Sequence, residues 1–477
     1  MLVRFLLLAL LVAPAVDVSA NEYEPPGLYD VDYFKLDNGL DVVLKKRTHA
    51  HNVAIRLVVN VGQRNFPCDK RETPHFLEHL LFMGTSKHGE AELKSLIEDH
   101  GGYWNGATSA TETVYQIDIF DKYLPLAIDT LHEILTDTII TPQKIESARA
   151  IIHRERSGNH SRLFRWLYEN GIGKPAVAKA GELLLPGVLC PGLVTPDGIS
   201  EADVRETYKN YYVPVNMTLV VVGNFDRDPL VSQIKSTFGR LAHKASNGIK
   251  VVKPPYTKET MEVTGTFAPL LGSDTQVGFA YRTEGSDSAD YYALSVMGKY
   301  LNRVLYKKIR VDKALSYGPG ASYVPLKDYG IFVAVADVNL DKVELAKALV
   351  EEELENLREG RIKAEDVQAA EQSIFMGFAQ SYESNSAIAG LYVQTLDQLK
   401  SSKGRRPTIA SITSQDLQRV ANKYLRNDSR VIVRSTPTLT FTQFYIGLGL
   451  SIVGVPGTGF YFIRSVIKRR RYQSGVR

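Results

Sequence analysis

The sequence predicts an α+β fold with two similar domains, each a mixed, mostly antiparallel β-sheet packed with helices, and a C-terminal transmembrane helix. Three observations support this prediction. The chain has 477 residues, more than one hydrophobic core usually serves, so two domains are expected. Strand-like and helix-like segments follow the same order in the two halves of the chain. Near the C-terminus, no charged residue lies between Arg434 and Arg464.

The first half begins with a predicted β-hairpin. Asp37-Asn38-Gly39 separates two strand-like runs, and Asn-Gly is a strong signal for a tight hairpin turn. Apolar residues with period two predict strands, and apolar residues three and four apart predict helices. On these grounds we expect strands at 53–61, 113–120 and 219–223, and helices at 75–82, 90–100, 124–136 and 142–156.

The second half repeats this order of elements. We expect strands at 275–282, near 322 and at 330–337, and helices at 289–308, 343–357 and 364–380. Tyr211-Tyr212 and Tyr424-Leu425 each precede a similar apolar run, and a diverged duplication would explain the repetition. The segment 244–256 is polar and contains a Pro pair, which predicts a linker between domains at 21–243 and 257–435.

The two ends of the chain carry separate signals. Residues 1–20 have one early Arg, an apolar stretch and the small-residue ending Val18-Ser19-Ala20, which predict a secretory signal peptide. Residues 441–463 are long enough to cross a bilayer as a helix, and 464–477 form a basic cytoplasmic tail. An uncleaved N-terminal anchor and a buried terminal helix are the alternatives. We therefore expect an exported protein, anchored in a membrane, with its body outside the cytoplasm (on the periplasmic side of the inner membrane if bacterial).

Composition excludes several classes of protein. The chain is 44% hydrophobic and 23% charged, as globular proteins are. The tail at 464–477 has six basic and no acidic residues, whereas the net charge of the whole chain is +4, so the rest of the chain carries no basic surface of the kind that binds nucleic acid. Two cysteines exclude a disulfide scaffold and a four-cysteine zinc site. We expect Cys68 and Cys190 to be separate thiols, although one disulfide remains an alternative in an oxidising compartment.

One motif carries chemistry: His75-Phe76-Leu77-Glu78-His79. Residues four apart share one face of a helix, so the two imidazoles can bind one metal ion, with Glu78 beside them. Catalytic zinc usually has three protein ligands and a water, so a third ligand is expected from a different helix. Thr73 as N-cap and Pro74 at the first helical position are expected to start the motif helix.

The surrounding sequence resembles the pitrilysin/insulinase family of inverted-motif zinc metallopeptidases, and most of all its two-domain branch that includes the mitochondrial processing peptidases. The matching sequence segments are HFLEHLLFMGTSKH, which begins at residue 75, and GGYWNGATSATETVY, which begins at residue 101. The resemblance implies one Zn²⁺ per chain, bound by His75, His79 and Glu155. His153 and His160 are nearby rivals for the third position.

The resemblance also implies where substrate binds. Asn105 and Ala107 would lie on an edge strand that pairs with an extended peptide. Arg310 and Tyr317, in the second half, would bind the substrate backbone and stabilise the oxyanion. Since such residues face the zinc half of another subunit in two-domain relatives, a homodimer or a heterodimer with a related subunit is expected.

The implied function is a zinc-dependent endopeptidase that hydrolyses peptides or unfolded protein segments, with Glu78 as the general base and then acid. The alternatives are a catalytically silent structural or assembly subunit and a peptide-binding partner of the same fold.

Two positions depart from the family pattern. Ala148 stands where a second Glu is common, and Glu72-Thr73-Pro74 precedes the motif in place of Gly-x-Ala.

Overall fold

A computed structural model describes residues 27–28, 30–156, 161–170, 172–244, 254, 258–266, 271–380, 382–396 and 412–449. The strands are β1 (Asp32–Lys35), β2 (Asp41–Lys46), β3 (Asn52–Val59), β4 (Tyr103–Thr108), β5 (Thr113–Phe120), β6 (Met217–Gly223), β7 (Met261–Thr266), β8 (Leu271–Gly272), β9 (Asp274–Glu284), β10 (Gly320–Pro325), β11 (Tyr329–Asn339), β12 (Arg430–Thr436) and β13 (Leu439–Thr440). The α-helices are α1 (Thr73–Phe82), α2 (Glu90–Glu98), α3 (Leu124–Thr136), α4 (Pro142–Glu155), α5 (Arg162–Glu169), α6 (Ala176–Leu184), α7 (Glu201–Tyr211), α8 (Arg227–Ser236), α9 (Tyr291–Leu305), α10 (Val343–Arg358), α11 (Ala364–Gln380), α12 (Asn385–Gln394) and α13 (Ser414–Tyr424).

The two main sheets share an arrangement of five strands, and the first has β1 as an additional edge strand. The first has the order β1-β2-β6-β3-β5-β4, and the second, taken from its opposite edge, has the order β7-β12-β9-β11-β10. The β2–β6 pair and the β7–β12 pair are parallel, and the other neighbours in both sheets are antiparallel. The predicted α+β fold with mixed, mostly antiparallel sheets is therefore confirmed. The domain limits at 21–243 and 257–435 remain predictions. Most of the proposed linker between them lies outside the described residues.

Local sequence explains the strands of the first sheet. Gly39 has φ of 93° in the turn between β1 and β2, a conformation that glycine adopts without strain. Alternate residues of β5 are buried, because one face of this strand packs on the helices. All of β6 is buried, as expected for a central strand that is covered on both faces.

Each half covers the outer face of the other half's sheet. The helix α12 packs on β3 and β6 of the first sheet, and α6 packs on β7 and β12 of the second. Tyr392 of α12 lies in one apolar cluster with Val220 and Val222 of β6. Ala180 of α6 lies in another with Val431 and Val433 of β12. These exchanged helices join the two halves through apolar cores as well as polar contacts.

Two predictions about the chain need correction. Cys68 and Cys190 form a disulfide with their Cα atoms 5.7 Å apart, so the expectation of separate thiols is wrong. The two cysteines are 122 residues apart along the chain, so the sequence around each one does not indicate that they meet.

Among the described residues, no helix has the length and apolar character that crossing a membrane requires, and this finding overturns the predicted membrane-anchored location.

The two end segments fall largely beyond the described part of the chain. Residues 441–449 are helical, but a crossing helix needs about 20 apolar residues. The rest of the proposed transmembrane segment, the basic tail at 464–477 and the signal peptide at 1–20 all lie outside the described residues.

Candidate metal centre

Helix α1 is held in place by its apolar face. Phe76, Leu77, Leu80 and Leu81 are completely buried in the core of the first half. Burial of side chains of this size stabilises by roughly 1.5–3 kcal/mol each. The helix packs against α4, α7 and β4, so the opposite face is held against the end of α4 and the edge strand.

The start of α1 differs from the prediction by one residue. The helix begins at Thr73, so Glu72 occupies the N-cap position, without a capping bond from its side chain. The Thr73 hydroxyl instead donates to the carbonyl of Lys70 at 2.6 Å. Pro74 lies in the first turn as expected.

The structure brings His75, His79 and Glu155 together. The two Nε2 atoms are 3.2 Å apart, and Glu155 Oε2 lies 3.2 Å from His75 Nε2 and 3.4 Å from His79 Nε2. A tetrahedral zinc ion with bonds of about 2.0–2.1 Å holds its ligand atoms about 3.3–3.4 Å apart. The spacing and chemistry of these three side chains therefore fit one zinc ion. In the described residues, they are the one group of His, Cys, Asp or Glu side chains arranged in this way.

The protonation of the two imidazoles is set by their surroundings. Burial lowers the pKa of His75, but the hydrogen bond with Glu72 and the nearby carboxylates outweigh burial and raise it. Burial and the neighbouring His75 ring lower the pKa of His79, against the charge of Glu155. In the metal-free protein these opposite shifts favour a second proton on the His75 ring over one on the His79 ring. Metal binding requires neutral rings, so it displaces this proton.

Glu72 contacts His75 on α1 and Arg156, the residue that directly follows α4, so it touches both segments that supply the three side chains. Its Oε2 lies 2.8 Å from His75 Nδ1, and its Oε1 accepts hydrogen bonds from Arg156 and, at 3.5 Å, from Gln63. The side chain of Glu72 is completely buried. Sequence reasoning missed this role, because Glu72 was visible only as a departure from a family pattern.

Glu78 is positioned from the edge strand. The Thr108 hydroxyl donates to Glu78 Oε2 at 2.6 Å, and Glu78 is only 8% exposed. Gly106 lies directly against this side chain, since a Cβ at residue 106 would be 2.6 Å from Glu78 Cγ. Close packing of β4 on α1 therefore fixes the carboxylate beside the two histidines on the same helix face.

The edge strand itself is open to solvent. In the part of the chain that the structure describes, β4 pairs with β5 and with no other strand. Asn105 and Ala107 are both exposed on it. An extended segment could add to this edge by main-chain hydrogen bonds.

Arg310 and Tyr317 lie together in the second half of the chain. Arg310 belongs to a π-helical turn, Tyr306–Val311. Its guanidinium donates to the Tyr317 carbonyl at 2.6 Å and lies 4.1 Å from the centre of the Tyr317 ring. Tyr317 is 78% exposed, and Ala314 between them has φ of 51°, a region that residues other than Gly occupy rarely. Among the described contacts of this pair, none reaches His75, His79 or Glu155.

Neither rival ligand is part of the described cluster. His153 Nε2 lies 2.8 Å from Asp197 Oδ1, on a loop beyond α6. His160 lies outside the described residues. Ala148 is completely buried on α4, two turns before Glu155, and offers no ligand atom.

Comparison with known proteins gives the family. The model described as insulinase (peptidase family M16) matches residues 41–180, and the model described as peptidase M16 inactive domain matches residues 198–374. An uncharacterized zinc protease of Streptomyces coelicolor is 22% identical, over 84% of this chain and 88% of the relative. A probable mitochondrial-processing peptidase subunit beta of Arabidopsis thaliana is 24% identical, over 82% of this chain and 75% of the relative.

A solved protease structure from Helicobacter pylori has the same fold. It matches with a TM-score of 0.70 and 21% identity, and the match covers 85% of this chain and 99% of that protein. Both family models, the relatives and this structure agree with the resemblance carried by the His-x-x-Glu-His segment. The chain therefore belongs to the insulinase family of zinc peptidases, peptidase family M16.

Proposed function

We propose that this protein is a zinc-dependent endopeptidase that hydrolyses peptides or unfolded protein segments. The observation that carries the proposal is the convergence of His75, His79 and Glu155 at zinc-ligand spacing, with Glu78 on the same helix face. His75, His79 and Glu155 would hold the ion. Bound zinc supplies Lewis acidity that lowers the pKa of a water toward neutrality and polarises the scissile carbonyl.

Glu78 moves the protons of the reaction. Its Oε2 accepts the Thr108 hydrogen bond, whereas its Oε1 has no hydrogen bond to the described residues. Oε1 is therefore the atom that takes a proton from the attacking water and delivers it to the departing amine nitrogen. Because Glu78 is buried, few water molecules compete for this proton.

The open edge of β4 supports an extended substrate. Backbone pairing beside Asn105 and Ala107 gives affinity with little demand on side-chain sequence. A folded protein rarely offers a free strand, so peptides and unfolded segments suit this edge better.

Arg310 and Tyr317 support an active site shared between subunits. They are grouped in the second half with Tyr317 exposed, and none of their described contacts reaches the metal-ligand cluster of their own chain. Relatives named as a beta subunit indicate assembly in those proteins. We propose a homodimer, or a heterodimer with a related subunit, in which this pair faces a partner's metal centre and binds the substrate backbone.

Cleavage of an internally quenched, unstructured peptide by the purified full chain tests the function. We expect cleavage that a chelator abolishes, that zinc restores, and that Glu78→Gln lacks although it binds zinc. His153→Ala is the matched control, because it removes a nearby imidazole outside the cluster. Stoichiometric zinc without cleavage of any peptide would instead favour a silent structural subunit or a peptide-binding partner.

A further inference from the structure

Glu72 is a completely buried carboxylate at the metal centre that the proposed chemistry does not use. A carboxylate in such a place is strongly unfavourable unless donors compensate its charge. Glu72 has donors on both oxygens, with His75 at Oε2 and with Arg156 and Gln63 at Oε1. His75 is on α1, and Arg156 directly follows Glu155 at the end of α4. One side chain therefore bridges the two segments that carry all three ligands.

We infer that Glu72 is a positioning residue that sets two of the zinc ligands, His75 directly and Glu155 through Arg156. The inference rests on the proposed zinc site. By accepting a hydrogen bond from Nδ1–H, Glu72 selects the His75 tautomer whose lone pair is on Nε2, the atom that faces His79 and Glu155. Carboxylates that hold metal-binding histidines in this way are a general means of tuning affinity.

The second bond of Glu72 restricts the other helix. Glu155 is the last residue of α4, and its side chain is 47% exposed. A carboxylate at a frayed, exposed helix end has many rotamers, and fixing it costs conformational entropy when metal binds. The ion pair between Arg156 and the buried Glu72 holds the C-terminal end of α4 close to the N-terminal end of α1. Part of that ordering is therefore complete before the metal arrives.

The segment that carries Glu72 is itself fixed. Cys68 is linked to Cys190, Lys70 pairs with Asp203 at 2.6 Å, and Arg71 donates to the Val188 carbonyl at 2.7 Å. These contacts hold the backbone just before α1 on the loop that follows α6 and on the first turn of α7. Glu72 can therefore act as a fixed point for both ligand-bearing segments. This gives a physical reason for a Glu at this departure from the family pattern.

Zinc affinity, measured by chelator competition, tests the inference. In Glu72→Gln the amide nitrogen can donate to His75 Nδ1, which places the proton on Nε2 and removes the lone pair needed by the metal. We expect zinc affinity to fall by about 10- to 100-fold, with a changed visible spectrum of the Co²⁺-substituted protein. Glu133→Gln is the matched control, because Glu133 is also a buried carboxylate that holds an imidazole, His88, at 2.9 Å. It should keep wild-type zinc affinity.

A second variant covers the case in which Glu72→Gln fails to fold. Arg156→Ala removes a side chain that is 43% exposed, and it should weaken zinc binding while leaving the fold intact. The two changes together should cost less than the product of their separate effects, because they interrupt one chain of contacts. Wild-type affinity and an unchanged Co²⁺ spectrum in folded Arg156→Ala or Glu72→Gln would overturn the inference. Absence of zinc from the wild-type protein would overturn the proposed function as well.

Discussion

Thr108→Val tests how much the proposed reaction depends on the position of Glu78. The substitution keeps the side-chain shape and removes the hydroxyl that donates to Glu78 Oε2 at 2.6 Å. A hydrogen bond to a charged group contributes about 1.5–3 kcal/mol. Glu78 is 8% exposed, so water replaces the lost donor poorly. If the bond holds Glu78 in the transition state, kcat falls by about 10- to 150-fold.

The assay is steady-state cleavage of a quenched peptide, with zinc content measured on the same samples. KM and zinc content should stay near wild type, because the lost hydroxyl bonds to Glu78 and to none of the three proposed ligands, and the main chain of β4 is unchanged. Thr108→Ser, which keeps the hydroxyl, should recover most of the rate. Thr138→Val is the control for a lost hydroxyl against α1, since Thr138 donates to the Leu80 carbonyl at 3.1 Å. A kcat in Thr108→Val equal to that of Thr138→Val would mean that the Thr108 hydrogen bond does not position Glu78 for catalysis.

Three further predictions concern assembly, stability and metal. Mixing inactive Glu78→Gln with inactive Arg310→Ala should restore activity on the order of a quarter of wild type in a freely exchanging homodimer with shared sites; no restoration would argue against sites shared between identical chains. Replacing Cys68 and Cys190 by Ser should lower the free energy of unfolding by ~2–5 kcal/mol, and an unchanged denaturation midpoint would contradict this. Glu155→Gln should lose bound zinc under dialysis that leaves the wild-type metal in place, and retained zinc would exclude Glu155 as a ligand.

Features set by local sequence could be predicted well. Helix α3 and strand β5 have the predicted limits, because amphipathic periodicity depends on neighbouring residues. The turn at Asn38-Gly39 follows from the backbone freedom of glycine. The spacing of His75 and His79 placed both imidazoles on one helix face, and the resemblance supplied Glu155, which the structure brings to them.

Features that depend on contacts between distant segments could not be predicted. The disulfide joins segments whose approach is decided by the packing of the loop after α6. The exchange of α6 and α12 between the halves leaves no mark in local periodicity, since either helix could have packed on its own sheet. Glu72 illustrates the same limit at the site, because its partner Arg156 lies just after the end of a different helix, α4.

Helix length is a different case. The apolar stretch at 441–463 satisfied the length criterion for a membrane span. That criterion counts apolar residues in the sequence and does not ask whether they form one continuous helix. None of the described helices is both long enough and apolar enough to cross a membrane. The predicted anchoring therefore fails, although the prediction of the fold and the placement of the candidate ligands did not depend on it.

The most direct test of the central claim is the zinc content of the full chain, measured with peptide cleavage on the same preparations. We expect one zinc per chain in the wild type and in Glu78→Gln, with cleavage by the wild type alone. Wild-type protein without zinc, or Glu78→Gln that cleaves peptides at the wild-type rate, would contradict it.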